Sequence, residues 1–139
     1  MISEFNYSDI TVGQSCCFEK AVSEDDIIAF CELSGDVNPL HNNVLYAKSH
    51  GYNECVVYGM LIASYCSTLA GCYIPGKKCL LHSVEANFLQ PVFKGDTLKI
   101  IGTVIEKNDL FKQITMKVVM HNQNDIKVFR GLIKAGVLE

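Results

Sequence analysis

Two side chains that handle protons, Asp36 and His41, stand close together in the run Leu33-Ser34-Gly35-Asp36-Val37-Asn38-Pro39-Leu40-His41. A carboxylate and an imidazole held near each other can orient one water molecule, one group removing its proton while the other delivers a proton to a substrate. Such acid/base chemistry asks for no metal. The residues around the pair constrain the backbone. Gly35 can take the left-handed conformation that ends a helix, and Pro39 pushes Asn38 into an extended one. The string Ser-Gly-Asp-Val-Asn-Pro is equally a set of ordinary turn formers, in which Asp36 does no more than accept bonds from backbone amides. Residue types alone leave both readings open.

The elements that must position this loop can be read on either side of it. Ser23 followed by Glu24, Asp25 and Asp26 starts a helix, because the hydroxyl caps free amides and the acids suit the positive end of the dipole. Ile27, Ile28, Phe30, Cys31 and Leu33 are its expected buried side, and the helix delivers Asp36 to the loop. Beyond His41, Val44 to His50 reads as a short second helix bracing the loop, with Leu45 and Ala47 as packing residues and Gly51 as its stop. Cys55-Val56-Val57-Tyr58-Gly59 then leads into Met60 to Tyr73, which is apolar on nearly every side and about 20 Å long as a helix. Such a helix has to be enclosed by sheet.

A first strand is expected over Cys16 to Val22. From Leu80 onward the pattern takes a period of two. Val84, Ala86 and Phe88 alternate with Glu85 and Asn87, and Ile114, Met116, Val118 and Met120 alternate with Gln113, Thr115 and Lys117. Leu98 to Ile105 and Ile126 to Ala135 complete a set of consecutive strands, separated by turns at Gly95-Asp96, Asn108-Asp109 and Asn122 to Asp125. An antiparallel sheet around one apolar helix is an α+β arrangement. With no internal repeat, low-complexity tract or linker, residues 1–139 read as a single domain.

The Leu33 to His41 run, with Ala47 beyond it, resembles the signature of the MaoC-like dehydratase or R-specific enoyl-CoA hydratase family. Val57-Tyr58-Gly59-Met60-Leu61-Ile62-Ala63-Ser64 resembles the start of that family's central helix, and Phe88 to Asp96 its following strand and turn. The resemblance implies a hotdog fold, a long antiparallel sheet wrapped around a central apolar helix. It implies reversible hydration of a trans-2-enoyl thioester to an R-3-hydroxyacyl thioester, with Asp36 and His41 as the catalytic pair. It maps the oxyanion-hole glycine onto Gly59, whose backbone amide would stand at a helix amino end. Asn38 is expected to orient the loop. Ser67, eight residues after Gly59 and so about two helical turns on, matches a serine that lies near the catalytic histidine in relatives; a hydroxyl bonded back to its own helix is the other reading. Two positions depart from the pattern: Tyr58 stands where relatives often carry histidine, and Cys55 where they carry proline. No cofactor is implied beyond the coenzyme A or phosphopantetheine of the substrate. The same fold also carries acyl thioesterases, which release of free thiol would distinguish, and non-catalytic thioester-binding subunits, against which Asp36 with His41 argues.

Composition is globular rather than disordered, with 49% hydrophobic and 19% charged residues. A net charge of -3 without a Lys/Arg cluster gives no footprint for nucleic acid. The odd count of seven cysteines (Cys16, Cys17, Cys31, Cys55, Cys66, Cys72 and Cys79), without a Cys-x-x-Cys pair, reads as reduced thiols rather than a zinc or disulfide framework. The start Met1-Ile2-Ser3-Glu4-Phe5 lacks the basic segment and apolar run of a secretory signal, so a cytoplasmic location is expected. The uncharged run from Cys55 to Gly76 holds Ser64, Ser67, Thr68 and Pro75, so a buried helix explains it better than a membrane span. His50, His82 and His121 match no catalytic position. Lys77 and Lys78 could meet the phosphates of a carrier arm, or simply be solvated. An open sheet edge beside an apolar helix calls for a twin subunit, so at least a homodimer is expected.

Overall fold

The period-two segments become a five-stranded, wholly antiparallel sheet in the computed structural model, which describes residues 1–139. Its strands are β1 (Ser15–Ala21), β2 (Cys79–Phe88), β3 (Thr97–Asn108), β4 (Gln113–His121) and β5 (Lys127–Val137), in the order β1-β3-β4-β5-β2. The consecutive hairpins β3-β4 and β4-β5 follow the sequence order. β2 does not pair with β3, its neighbour in the chain. It crosses to the far edge and lies along β5, with Val84 opposite Ile133, because β1 occupies the flank of β3 with Cys17 opposite Ile101. Local periodicity defines a strand but not its partner.

The apolar run after Gly59 forms α4 (Gly59–Thr68), the fourth helix after α1 (Glu24–Ser34), α2 (Pro39–Asn42) and α3 (Val44–Ser49). A π turn, Leu69–Tyr73, continues it. Leu61, Ile62, Ala63, Tyr65 and Cys66 of α4, with Leu69 and Ala70 of the turn, share one core with Leu98, Ile100 and Val104 of β3, Ile114, Met116, Val118 and Met120 of β4, and Phe129 and Ile133 of β5. The close approach depends on Gly102. A Cβ there would lie 2.6 Å from Leu69 Cδ2, so a larger residue would force the Leu69 side chain out of its present place against the sheet. Burial pushes the Cys66 thiol from its ordinary 9.0 up to about 12, as befits a core thiol that packs rather than reacts. The result is the α+β hotdog arrangement, with the sheet curved around the helix. No helix is long and apolar enough to cross a membrane.

Two expectations about packing need correction. α1 is capped as foreseen, with Asp26 N–H donating to Ser23 Oγ and Ser23 N–H donating to Asp26 Oδ2, both at 3.1 Å. The Ser23 amide, helped by Lys20 at 3.2 Å, holds the Asp26 carboxyl below its ordinary range. Its apolar side is narrower than the sequence implied. Ile27, Phe30 and Cys31, at helical spacing, pack on the core, but Ile28 is 50% and Leu33 87% exposed. The helix sits on the rim, where only one stripe faces protein. Leu45 likewise projects outward from α3 while Ala47 is fully buried. In β2, Val84 and Phe88, the apolar phase of the alternation, are substantially exposed, because this strand is a sheet edge that α4 covers only in part.

Candidate active site

Gly35, with φ +74°, ends α1 in the left-handed region and turns the chain into the loop. Ser34 Oγ donates to Phe30 O at 2.7 Å and accepts from Asp36 N–H at 3.2 Å. One oxygen of Asp36, Oδ1, then accepts from Asn38 N–H at 3.0 Å. Asn38 in turn caps α2, its Oδ1 accepting from Leu40 N–H at 2.9 Å, and Pro39 supplies the first helical position. Asn38 therefore orients the turn through local bonds at both its backbone and its side chain.

The single turn of α2 carries His41 against the strand-like segment before α4. His41 Nδ1 lies 2.6 Å from Val56 O. A carbonyl can only accept, so Nδ1 holds a proton, and the tautomer this selects is the one that presents Nε2 as an acceptor. The ring stacks on Tyr58, centroids 4.1 Å apart at 30°. Tyr58 precedes Gly59, the first residue of α4, whose N–H has no acceptor within the helix. A Cβ on Gly59 would meet the Phe88 ring at 3.2 to 3.4 Å, so glycine keeps open the space between the helix end and β2.

Asp36, His41, Tyr58, Gly59, Met60 and Phe88 line one cleft of about 280 Å³. A neighbouring cavity of about 340 Å³ shares His41, Gly59 and Phe88 and runs over Val57, Ile62, Leu89 and Val92, a mostly apolar lining. A proton-handling pair and a helix-terminal amide thus open on one space that leads into an apolar one. A water between the pair could be deprotonated, while negative charge forming on a carbonyl oxygen near Gly59 would find both a hydrogen-bond donor and the positive helix end.

The remaining candidates lie elsewhere. Ser67 is exposed on α4, lines neither cavity and makes no side-chain hydrogen bond. His50 Nδ1 approaches Tyr46 O at 2.8 Å, and His82 Nδ1 meets Gln113 Nε2 at 2.8 Å beside a bulge in β2. His121 ends β4. Lys77 lies 3.9 Å from Glu4, and Lys78 donates to Asn6 Oδ1, so both are engaged with the amino-terminal segment. Two contributors to the candidate site carry no signal of that place in the sequence. The alternation marks Phe88 only as an apolar strand residue, and the Val56 carbonyl, being backbone, carries no residue signal at all.

Residues 9–125 match the family model described as MaoC like domain. The chain belongs to the MaoC-like family. Among MaoC-like relatives, it is 37% identical over 98 residues to an (R)-specific enoyl-CoA hydratase of Rhodospirillum rubrum, covering 70% of this chain and 68% of that one. It is 33% identical over 128 residues to a mitochondrial 3-hydroxyacyl-[acyl-carrier-protein] dehydratase of Arabidopsis thaliana, covering 88% and 74% respectively. A solved R-hydratase from Pseudomonas aeruginosa, unliganded, superposes with a TM-score of 0.92 at 28% identity, over 99% of this chain and 88% of that one.

Proposed function

We infer that this chain catalyses the reversible hydration of trans-2-enoyl thioesters to R-3-hydroxyacyl thioesters, with Asp36 and His41 as the catalytic pair. The observation that carries the assignment of the pair is that Asp36, His41 and the Gly59 end of α4 open on one cleft. In the forward direction, water adds its oxygen to C3 while one proton leaves the water and one arrives at C2. His41 Nε2 and the Asp36 carboxylate accept and relay these protons, and the pair ends the cycle with the protons it began with. As the C3 bond forms, charge moves onto the thioester oxygen, where the Gly59 amide stabilises it. The apolar cavity over Ile62 and Val92 suits the acyl chain. The chemistry uses protein groups alone, with coenzyme A or phosphopantetheine present as part of the substrate. Relatives named for each carrier make both candidates.

A homodimer follows from the same fold. Leu80, Leu81, Val84 and Phe88 expose apolar surface along the free edge of β2, and a second copy would cover it. Sedimentation at the mass of one 15.4 kDa chain would refute this. All seven cysteines are free, which agrees with a reducing cytoplasm; recovery of the protein in another cell fraction would count against that placement.

The decisive test follows the enoyl thioester absorbance of crotonyl-CoA and longer enoyl-CoA and carrier-protein substrates, with a thiol trap in parallel. The band is expected to fall without thiol release. Asp36→Asn and His41→Ala should each lose about 100-fold or more in kcat while remaining folded. Thiol release would indicate a thioesterase instead, and a steady band with all substrates would leave a non-catalytic binding subunit.

A further inference from the structure

Every hydrogen bond tying the Asp36 to His41 loop to a sequence-distant part of the chain ends on Val56 or Tyr58. At the His41 end there are two: His41 Nδ1 to Val56 O at 2.6 Å, and Val56 N–H to Leu40 O at 3.2 Å. At the Asp36 end there is one, the Tyr58 hydroxyl donating to Asp36 O at 2.6 Å. All other side-chain bonds in the loop span five residues or fewer, including the Cys31 thiol to Asp36 O at 3.4 Å. Near-neighbour bonds give the loop a shape but cannot set its place relative to α4.

Tyr58 is built to hold still. It is 2% exposed, and its ring lies between Phe30, with centroids 4.9 Å apart, and His41, at 4.1 Å. The segment it belongs to is itself anchored, since Val57 N–H donates to Val92 O at 2.8 Å. Burial, with the Cys31 thiol beside it, raises the phenol well above its ordinary range, so the hydroxyl stays protonated and keeps donating at any working pH. We propose that Tyr58 is a positioning residue that sets Asp36 relative to both His41 and the Gly59 amide. One side chain reaches all three parts: its hydroxyl holds the Asp36 backbone, its ring supports His41, and its own backbone leads directly into Gly59.

This inference rests on the hydratase reading for its kinetic consequence but not for its structural one, and the test separates them. Tyr58→Phe removes only the hydroxyl. Its kcat for enoyl thioester hydration is expected to fall about tenfold with KM within about twofold, the scale of one lost hydrogen bond acting through geometry. Tyr58→Leu, which also removes the ring beneath His41, should lose about 100-fold. Amide exchange followed by NMR should quicken at Asn38 and Leu40 in Tyr58→Phe, because those amides bond within the loop that Tyr58 anchors. A Tyr58→Phe protein that melts lower yet keeps its kcat and KM would overturn the proposal, leaving Tyr58 a packing residue. If the wild type hydrates no enoyl thioester, the functional reading falls and exchange decides alone: faster exchange in Tyr58→Phe upholds the positioning role, and unchanged exchange ends it.

Discussion

In β4, Ile114, Met116, Val118 and Met120 are all fully buried, and Leu98, Ile100, Phe129 and Ile133 join them from β3 and β5. Along the loop, Asp36, Val37 and Asn38 are exposed and held by directional polar bonds. The sheet core gains its free energy from apolar area removed from water, a term indifferent to small displacements. The loop gains little from burial and depends on geometry. Stability and positioning are therefore lodged in different parts of one small domain, and substitutions should separate a fall in melting temperature from a fall in turnover.

The largest expected effect is on the core side. Ile133→Ala, in the middle of β5, should cost about 2 to 5 kcal/mol and lower the melting temperature by about 10 °C, with kcat of the folded protein within about twofold of wild type. An equal drop in kcat would show that the cleft feels the core directly and would break the division. Gly59→Ala should do the reverse. Alanine favours a helix more than glycine does, so the melting temperature should hold or rise, while the new Cβ pressed against Phe88 narrows the cleft and lowers kcat/KM about tenfold. Adding Phe88→Leu should recover part of that loss; no recovery would mean that the amide itself, rather than space, had been disturbed. The smallest effect sharpens the boundary. Ser23→Ala removes the α1 cap at a cost of about 1 kcal/mol, visible in thermal melts as a few degrees. Since Tyr58 rather than α1 makes the distant tie to Asp36, kcat should not change; a tenfold drop would assign the positioning to the helix.

These differences also explain what could be read in advance. The cap at Ser23, the stop at Gly35 and the alternation in β4 are local, each decided by residues within a few positions, and all three stand in the structure. Ile28, Leu33 and Leu45 were misjudged because an apolar residue on a helix is buried only if something lies opposite, and a rim helix has protein on one side. The alternating Val84 and Phe88 of β2 mark a pleated strand, which the structure has, but not that the strand sits at an open edge.

By itself the sequence determined the helix start at Gly59 and an antiparallel sheet around one apolar helix, because capping, turn chemistry and periodicity act over short stretches of chain, while the resemblance of its Leu33 to His41 run pointed to the family. Tertiary structure alone decided that β2 crosses to pair with β5, that Val56 O sets the His41 tautomer, and that the Tyr58 hydroxyl holds Asp36. Each of these joins groups far apart in sequence, and one of them is a backbone carbonyl that no residue type encodes. Such meetings depend on where the folded chain places its parts, a matter of long-range packing that local chemistry leaves open.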